Sequence, residues 1–206
     1  MQDYRTIQGT ATAQLEIKHS KFIGYTEFVE TEEQALEVLA RVRAEHRTAN
    51  HNVYAYVLRE NSRVRYSDDG EPAKTAGLPV LESIQHAGLT DCIVVVTRYF
   101  GGTLLGTGGL VRAYTDTASA ALQAAKVVTV RSVVKLEASV DYSLYEQAVR
   151  LIEAAGAVLD EPVFTDRVTL QWTMPEGTQE PLLPQLSELT RGQVQVQVSD
   201  PVYAPF

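Results

Sequence analysis

The chain is poor in the residues that staple, anchor or catalyse. Cys92 is the only cysteine in 206 residues, so no disulfide can form within the chain. It opens the apolar run Cys92-Ile93-Val94-Val95-Val96, which reads as a core thiol rather than a nucleophile. No stretch approaches the roughly 18 apolar residues that span a bilayer, and Met1 to Thr10 is polar, without an apolar signal region. The expectation is a cytoplasmic protein with no membrane partner. Positive charge is also scarce. The net charge is −8, with 14 basic against 15 acidic residues in 1–132 and 4 against 11 in 133–206. The second part is therefore unsuited to gripping nucleic acid nonspecifically, and any phosphate contact should come from the first.

Catalytic and cofactor signatures are missing too. There is no Ser-His-Asp order, no H-E-x-x-H and no Gly-Lys-Ser/Thr P-loop, and Gly101-Gly102-Thr103-Leu104-Leu105-Gly106 does not match G-x-G-x-x-G. His46 and His51 stand five apart with no third ligand to complete a zinc site. No cofactor is expected. The hydrophobic fraction of 45% and charged fraction of 21% are those of an ordinary globular protein, long enough for one large domain or two small ones.

What is present centres on Asp91 to Ala125. The β-branched run from Cys92 predicts a strand buried on both faces. Five glycines follow, Gly101, Gly102, Gly106, Gly108 and Gly109, and then Leu110, Tyr114, Ala118, Ala121 and Ala125 recur at helical spacing. A helix N-terminus carries unpaired N–H groups and partial positive charge, and glycines let an anion approach them. Arg98 and Arg112, one on each side of the loop, would add bidentate donors for phosphate or carboxylate. Two readings stand: an anion or phosphate-backbone site, or tight turns whose arginines pair with acids elsewhere.

Ahead of this segment, Thr10 to Glu30 predicts two strands joined by the basic turn Lys18-His19-Ser20-Lys21, which could extend a cationic face. Thr31-Glu32-Glu33-Gln34 is a capping box for a helix to about His46, with Leu36, Leu39 and Val42 on its apolar face. Arg41, Arg43, His46 and Arg47 complement that helix's dipole. His51 to Leu58 alternates as a strand. Ser67-Asp68-Asp69-Gly70-Glu71-Pro72 packs three carboxylates before a helix containing Leu78, Leu81 and Ile84, with Pro72 suited to its first position. Asp68, Asp69 and Glu71 admit three readings: helix capping with ion pairs to Arg98 or Arg112, a magnesium site, or an acid/base pair.

Lys126 to Arg131 is the expected domain boundary, giving domains of 1–131 and 132–206, and the charge shift supports it. Beyond it, alternation at Val134–Val140, a helix capped by Asp141 and stopped by Gly156, strands near Val158–Phe164 and Val168–Met174, a helix from Pro181 to Gly192, and a last strand at Val194–Val198 follow in order. That is βαββαβ, a ferredoxin-like order. Trp172 falls on the alternating apolar face, so it reads as core rather than a base-stacking platform.

Four stretches together resemble one family. They are Ser67-Asp68-Asp69-Gly70-Glu71-Pro72, Thr75-Ala76-Gly77, Val96-Thr97-Arg98-Tyr99-Phe100-Gly101-Gly102, and Leu105-Gly106-Thr107-Gly108-Gly109-Leu110-Val111-Arg112-Ala113-Tyr114. The chain is similar to the IMPACT family, specifically its bacterial YigZ-type members. The resemblance implies an α+β fold, its first domain like domain IV of elongation factor G and its ferredoxin-like second domain like domain V. It connects the eukaryotic members to translational control, through a protein that activates a stress kinase. The sequence shows no counterpart of the extra N-terminal module of those proteins, so that partner is not expected here. Ala73-Lys74 and Leu78 depart from the family pattern, which has Ser-Gly and Lys at those places.

The expectation is a translation-linked binding module. It would offer Arg98, Arg112, the glycine loop, Lys74 and His51 to RNA, the ribosome or an acidic protein partner. The alternative is a magnesium-dependent enzyme on a phosphorylated or nucleotide-like small molecule, with Asp68, Asp69 and Glu71 holding the metal.

Overall fold

A computed structural model of the chain describes residues 2–206. The chain divides into two compact units, Tyr4–Val128 and Thr129–Phe206, the latter together with Gln2 and Asp3. The secondary structure is mixed α and β. No helix among the described residues is long and apolar enough to cross a membrane.

The first unit opens with β1 (Tyr4–Gln8), β2 (Thr10–Ile17) and β3 (Ser20–Phe28), followed by α1 (Glu32–Glu45), β4 (His51–Val57) and β5 (Val64–Ser67). Then come α2 (Gly77–His86), β6 (Cys92–Tyr99) and α3 (Thr107–Ala124). Strands β2-β3-β6-β4-β5 form one antiparallel sheet in that order. One face, carrying Phe22, Val53, Ala55, Val94 and Val96, packs in one core with Val80, Ile84, Tyr114 and Ala118 of α2 and α3. The other face, with Tyr54, Tyr56, Ile93 and Val95, packs with Ala35, Val38, Leu39 and Val42 of α1. Helices on both sides explain why β6, in an antiparallel sheet, is a continuous apolar run and not an alternating one.

Local rules account for most of the boundaries. Thr31 Oγ1 accepts from the Gln34 N–H (3.3 Å), while the Gln34 side chain accepts from the N–H of Glu30 (2.8 Å), one residue before the capping-box partner. Leu36, expected on the apolar face of α1, is instead exposed, because the buried stripe runs through Ala35, Val38, Leu39 and Val42. Pro72 does not begin a helix. Residues 68–76 form a turn, and α2 starts at Gly77, where an added Cβ would lie 2.6 Å from the Ser67 carbonyl carbon.

The second unit is built from β7 (Lys126–Val140, its first three residues in the first unit), α4 (Tyr145–Ala154), β8 (Val158–Leu159), β9 (Val163–Phe164), β10 (Val168–Pro175), α5 (Leu182–Leu189), β11 (Val196–Val198) and β12 (Val202–Pro205). The segment expected to be a boundary is thus the first part of a 15-residue strand. The sheet order β11-β7-β10-β8 is ferredoxin-like, with β12 added on β7 beyond the expected six elements. The expected second strand is two short pieces, both paired to β10, with Pro162 between them unable to donate to a ladder. A 3-10 turn at Tyr142–Leu144 separates Asp141 from α4. Val134, Leu136, Ala138, Leu170, Trp172 and Met174 face Ala148, Ile152, Leu182 and Leu186 in this unit's core, where Trp172 is fully buried.

Candidate anion-binding end of the first unit

Strand direction gathers the glycine-rich and acidic stretches at one end of the sheet. β3 begins at Ser20, β6 ends at Tyr99 beside Lys21, β4 begins at His51 beside Arg98, and β5 ends at Ser67. The loops at that end are therefore residues 18–19, 46–50, 68–76 and 100–106. Every candidate residue named from the sequence lies in them, at the adjoining strand ends, or in the first two turns of α3.

The acids at this end turn inward. Asp68 Oδ1 accepts from the N–H groups of Ala76 (3.0 Å) and Gly77 (2.8 Å), and Oδ2 from that of Lys74 (2.9 Å), so it caps α2 from nine residues upstream. Asp69 Oδ2 accepts from the Asn52 N–H (2.6 Å) and Oδ1 from Arg43 Nη2 (2.7 Å). His51 Nδ1 donates to the Asp69 carbonyl (2.9 Å), which leaves Nε2 facing Glu71 Oε1 at 3.8 Å. Glu71 is buried and accepts from Arg98 Nη1 (2.6 Å) and from the Tyr114 hydroxyl (2.7 Å). Burial, with the Glu71 charge beside it, pushes the Tyr114 phenol well above its ordinary range, so it remains a donor.

Arg98 therefore does not share a solvent-facing site with Arg112. It is 5% exposed, paired to Glu71, and also donates from Nη2 to Ser20 Oγ (3.4 Å). Its place on β6, directly opposite Phe22 and His51 in the register, puts it between covered layers. The three carboxylates do not converge either, since each spends its oxygens on a different amide, hydroxyl or guanidinium. Among the described residues no group of three His, Cys, Asp or Glu side chains is placed to hold a metal.

The glycines divide into two kinds. At Gly101 an added Cβ would sit 2.0 Å from the His19 carbonyl, so this glycine lets the β6–α3 loop lie against the turn at Lys18-His19, with its N–H on Ser20 Oγ (3.1 Å). Gly102 and Gly106 take positive φ, 82° and 74°. Gly109 lies against Leu105, whereas a Cβ at Gly108 would meet open space. Gly106 caps α3 with no side-chain hydrogen bond, leaving an exposed first turn at Thr107 and Gly108.

At this end the exposed cations outnumber the exposed acids, which are Glu16, opposite Lys21 in the β2–β3 register, and Glu45 at the end of α1. Lys18, His19, Lys21, Arg47, Lys74 and Arg112 are all exposed. Lys18 and His19 form a two-residue turn with φ of 47° and 64°, the left-handed geometry of a type I′ hairpin. Phe100 is 45% exposed and Leu104 82%. These two were not legible as surface groups, because residues between a strand and a helix have no periodicity to place them. Lys74 adopts φ of 63°, a conformation that favours glycine. Cys92 is fully buried, and burial pushes its thiol up to about 12.

Residues 18–122 match the family model described as "Impact N-terminal domain", and residues 139–193 match that of a domain of unknown function, DUF1949. The IMPACT family member YvyE of Bacillus subtilis is 32% identical over 204 residues, covering 98% of this chain and 94% of that protein. The chain belongs to the IMPACT family. The IMPACT family member YigZ of Escherichia coli is 45% identical over 102 residues, 48% of this chain and 50% of that one. Eukaryotic proteins named IMPACT match over less than half of the chain. A solved structure titled "Crystal structure of an hypothetical protein" superposes with a TM-score of 0.62 at 29% identity, covering 97% of this chain and 98% of its own. The α+β architecture is thus shared with that structure along nearly the whole chain.

Proposed function

We propose that this IMPACT protein is a translation-linked regulatory binding protein of the cytoplasm. Its loop end, built around the glycine segment, would engage the phosphate backbone of RNA on or near the ribosome. The observation that carries this reading is the sorting of charge at that end. Asp68, Asp69 and Glu71 are spent on amides, a phenol and guanidiniums, while Lys18, Lys21, Lys74 and Arg112 stand exposed. A protein of net charge −8 presents there a local cationic face, which is what a phosphate contact needs. The exposed first turn of α3 adds amide donors beside it. Arg98 and His51 hold this face in shape rather than touch the ligand.

The magnesium-enzyme alternative finds no support in the acids, whose oxygens point to separate partners. An acidic protein would exploit the same cations, with Phe100 and Leu104 as anchors, and the test tells the two apart. Binding of purified protein to ribosomes and to structured RNA is measured across salt, beside a polyglutamate control. The expected result is RNA binding whose log–log salt slope falls by about one for each phosphate-contacting cation removed in Lys18→Ala, Lys21→Ala or Arg112→Ala. Equal binding of polyglutamate would favour the protein partner. Unchanged RNA affinity in all three variants would defeat the site.

A further inference from the structure

The second unit carries an aromatic surface that the loop-end reading does not use. Phe164, at the end of β9, lies 5.5 Å from the Tyr145 ring at 68° and 6.3 Å from the Tyr142 ring at 30°. Phe164 and Tyr142 are each 55% exposed and Val163 is 52% exposed, more than a core satellite requires. The group is fixed in place. The Tyr142 hydroxyl donates to the Thr165 carbonyl (2.5 Å), and Thr165 Oγ1 donates to the Arg167 carbonyl (3.1 Å). These rings lie at the sheet margin, since β8 and β9 pair with β10 on one side and, among the described residues, with nothing on the other.

The surrounding charge says what fits there. Asp141 and Glu146 flank the tyrosines in the chain, Asp166 follows Phe164 by two residues, and Asp160 and Glu161 occupy the bend between β8 and β9. All five are exposed. Arg150 pairs with Glu146 (3.9 Å), Arg167 pairs with Asp141 (3.4 Å), and Lys135 lines the same surface depression as Asp160, so the acids remain in excess; residues 133–206 hold 11 acids against 4 bases. Phosphate would be repelled here. A guanidinium or ammonium would gain both from the carboxylates and from the open ring faces.

We infer that this margin is a docking surface for a cationic, partly apolar peptide segment of a protein partner. Its arginine or lysine side chains would lie over Phe164 and Tyr142, and its apolar side chains would cover Val163. The unpaired outer side of β9 would let such a segment lie extended beside it.

The test is fluorescence anisotropy of the full chain with a labelled peptide alternating arginine and leucine, with a glutamate–leucine peptide as control. Salt-sensitive binding of the arginine peptide is expected, weakened about tenfold by Phe164→Ser and comparably by Glu161→Gln combined with Asp166→Asn, as for an interface anchor. Lys18→Ala and Lys21→Ala should leave it unchanged, which separates this surface from the loop end. If Phe164→Ser perturbs the circular dichroism spectrum, the surface pair Glu161→Gln/Asp166→Asn decides alone. Undiminished binding by that pair, equal binding of the glutamate peptide, or a Phe164-dependent dimer that takes up no peptide would overturn the inference.

Discussion

The two units of this chain use polar residues in opposite ways. At the loop end of the first, acids and a guanidinium are folded inward. Glu71, Arg98 and Tyr114 form a buried hydrogen-bonded cluster, and Asp68 is consumed by three amides. In the second, the core is apolar apart from Thr190, whose hydroxyl donates to the Leu186 carbonyl, and the acids stay on the surface, with Gln171 bonded to Glu137 across the exposed face of the sheet. The difference teaches that the densest motif in the sequence is mostly scaffold. Its residues fix four loops that no regular ladder could hold, and the side chains left free to meet a partner are the less conspicuous lysines beside them.

The largest test of that contrast is the buried pair. Glu71→Gln or Arg98→Ala should each cost about 3–5 kcal/mol, because removing one partner strands the other charge. The midpoint of urea unfolding reads it. Exposed acids of the second unit, such as Glu146→Gln, should change the stability read from that midpoint by less than about 0.5 kcal/mol. Equal losses in the two units would erase the distinction. Next in size is Asp68→Ala, which removes the acceptor of three amides and should cost roughly 2 kcal/mol, at the upper end of capping effects.

The glycines sharpen the same comparison on a smaller scale. Gly101→Ala would press a methyl into the His19 backbone and should lower the melting temperature. Gly108→Ala enters open space in a helix and should raise stability by roughly 0.5–1 kcal/mol. If Gly108 matters for binding, the alanine form will be more stable and yet bind RNA less well. Lys74→Gly completes the series. Relief of the left-handed backbone should add about 1 kcal/mol, while the salt slope of RNA binding falls by about one.

Much of this architecture was legible beforehand, and the gaps have physical causes. The strands from Cys92 and Val134 were visible because an apolar run and an alternation each report which faces are covered. The Thr31 cap was visible because capping is local. For Arg98 the sequence leaves a ligand-facing donor and an ion pair with the motif acids both open, because its partner Glu71 is 27 residues away and only the fold brings them together; the ion pair is the one found. Pro72 has the chemistry of a helix start, but Asp68 reaches across the turn to cap Gly77 instead. β12 is not legible because four residues after Pro201 have no period to read, and Val158-Leu159 with Val163-Phe164, expected as one strand around the acids, are two because Pro162 interrupts the ladder.

The most direct measurement is the salt dependence of RNA binding by the triple variant Lys18→Ala/Lys21→Ala/Lys74→Gly, set against its unfolding midpoint. The account predicts a protein at least as stable as the parent whose log–log binding slope is smaller by about three. A variant that binds with the parent's slope would contradict it.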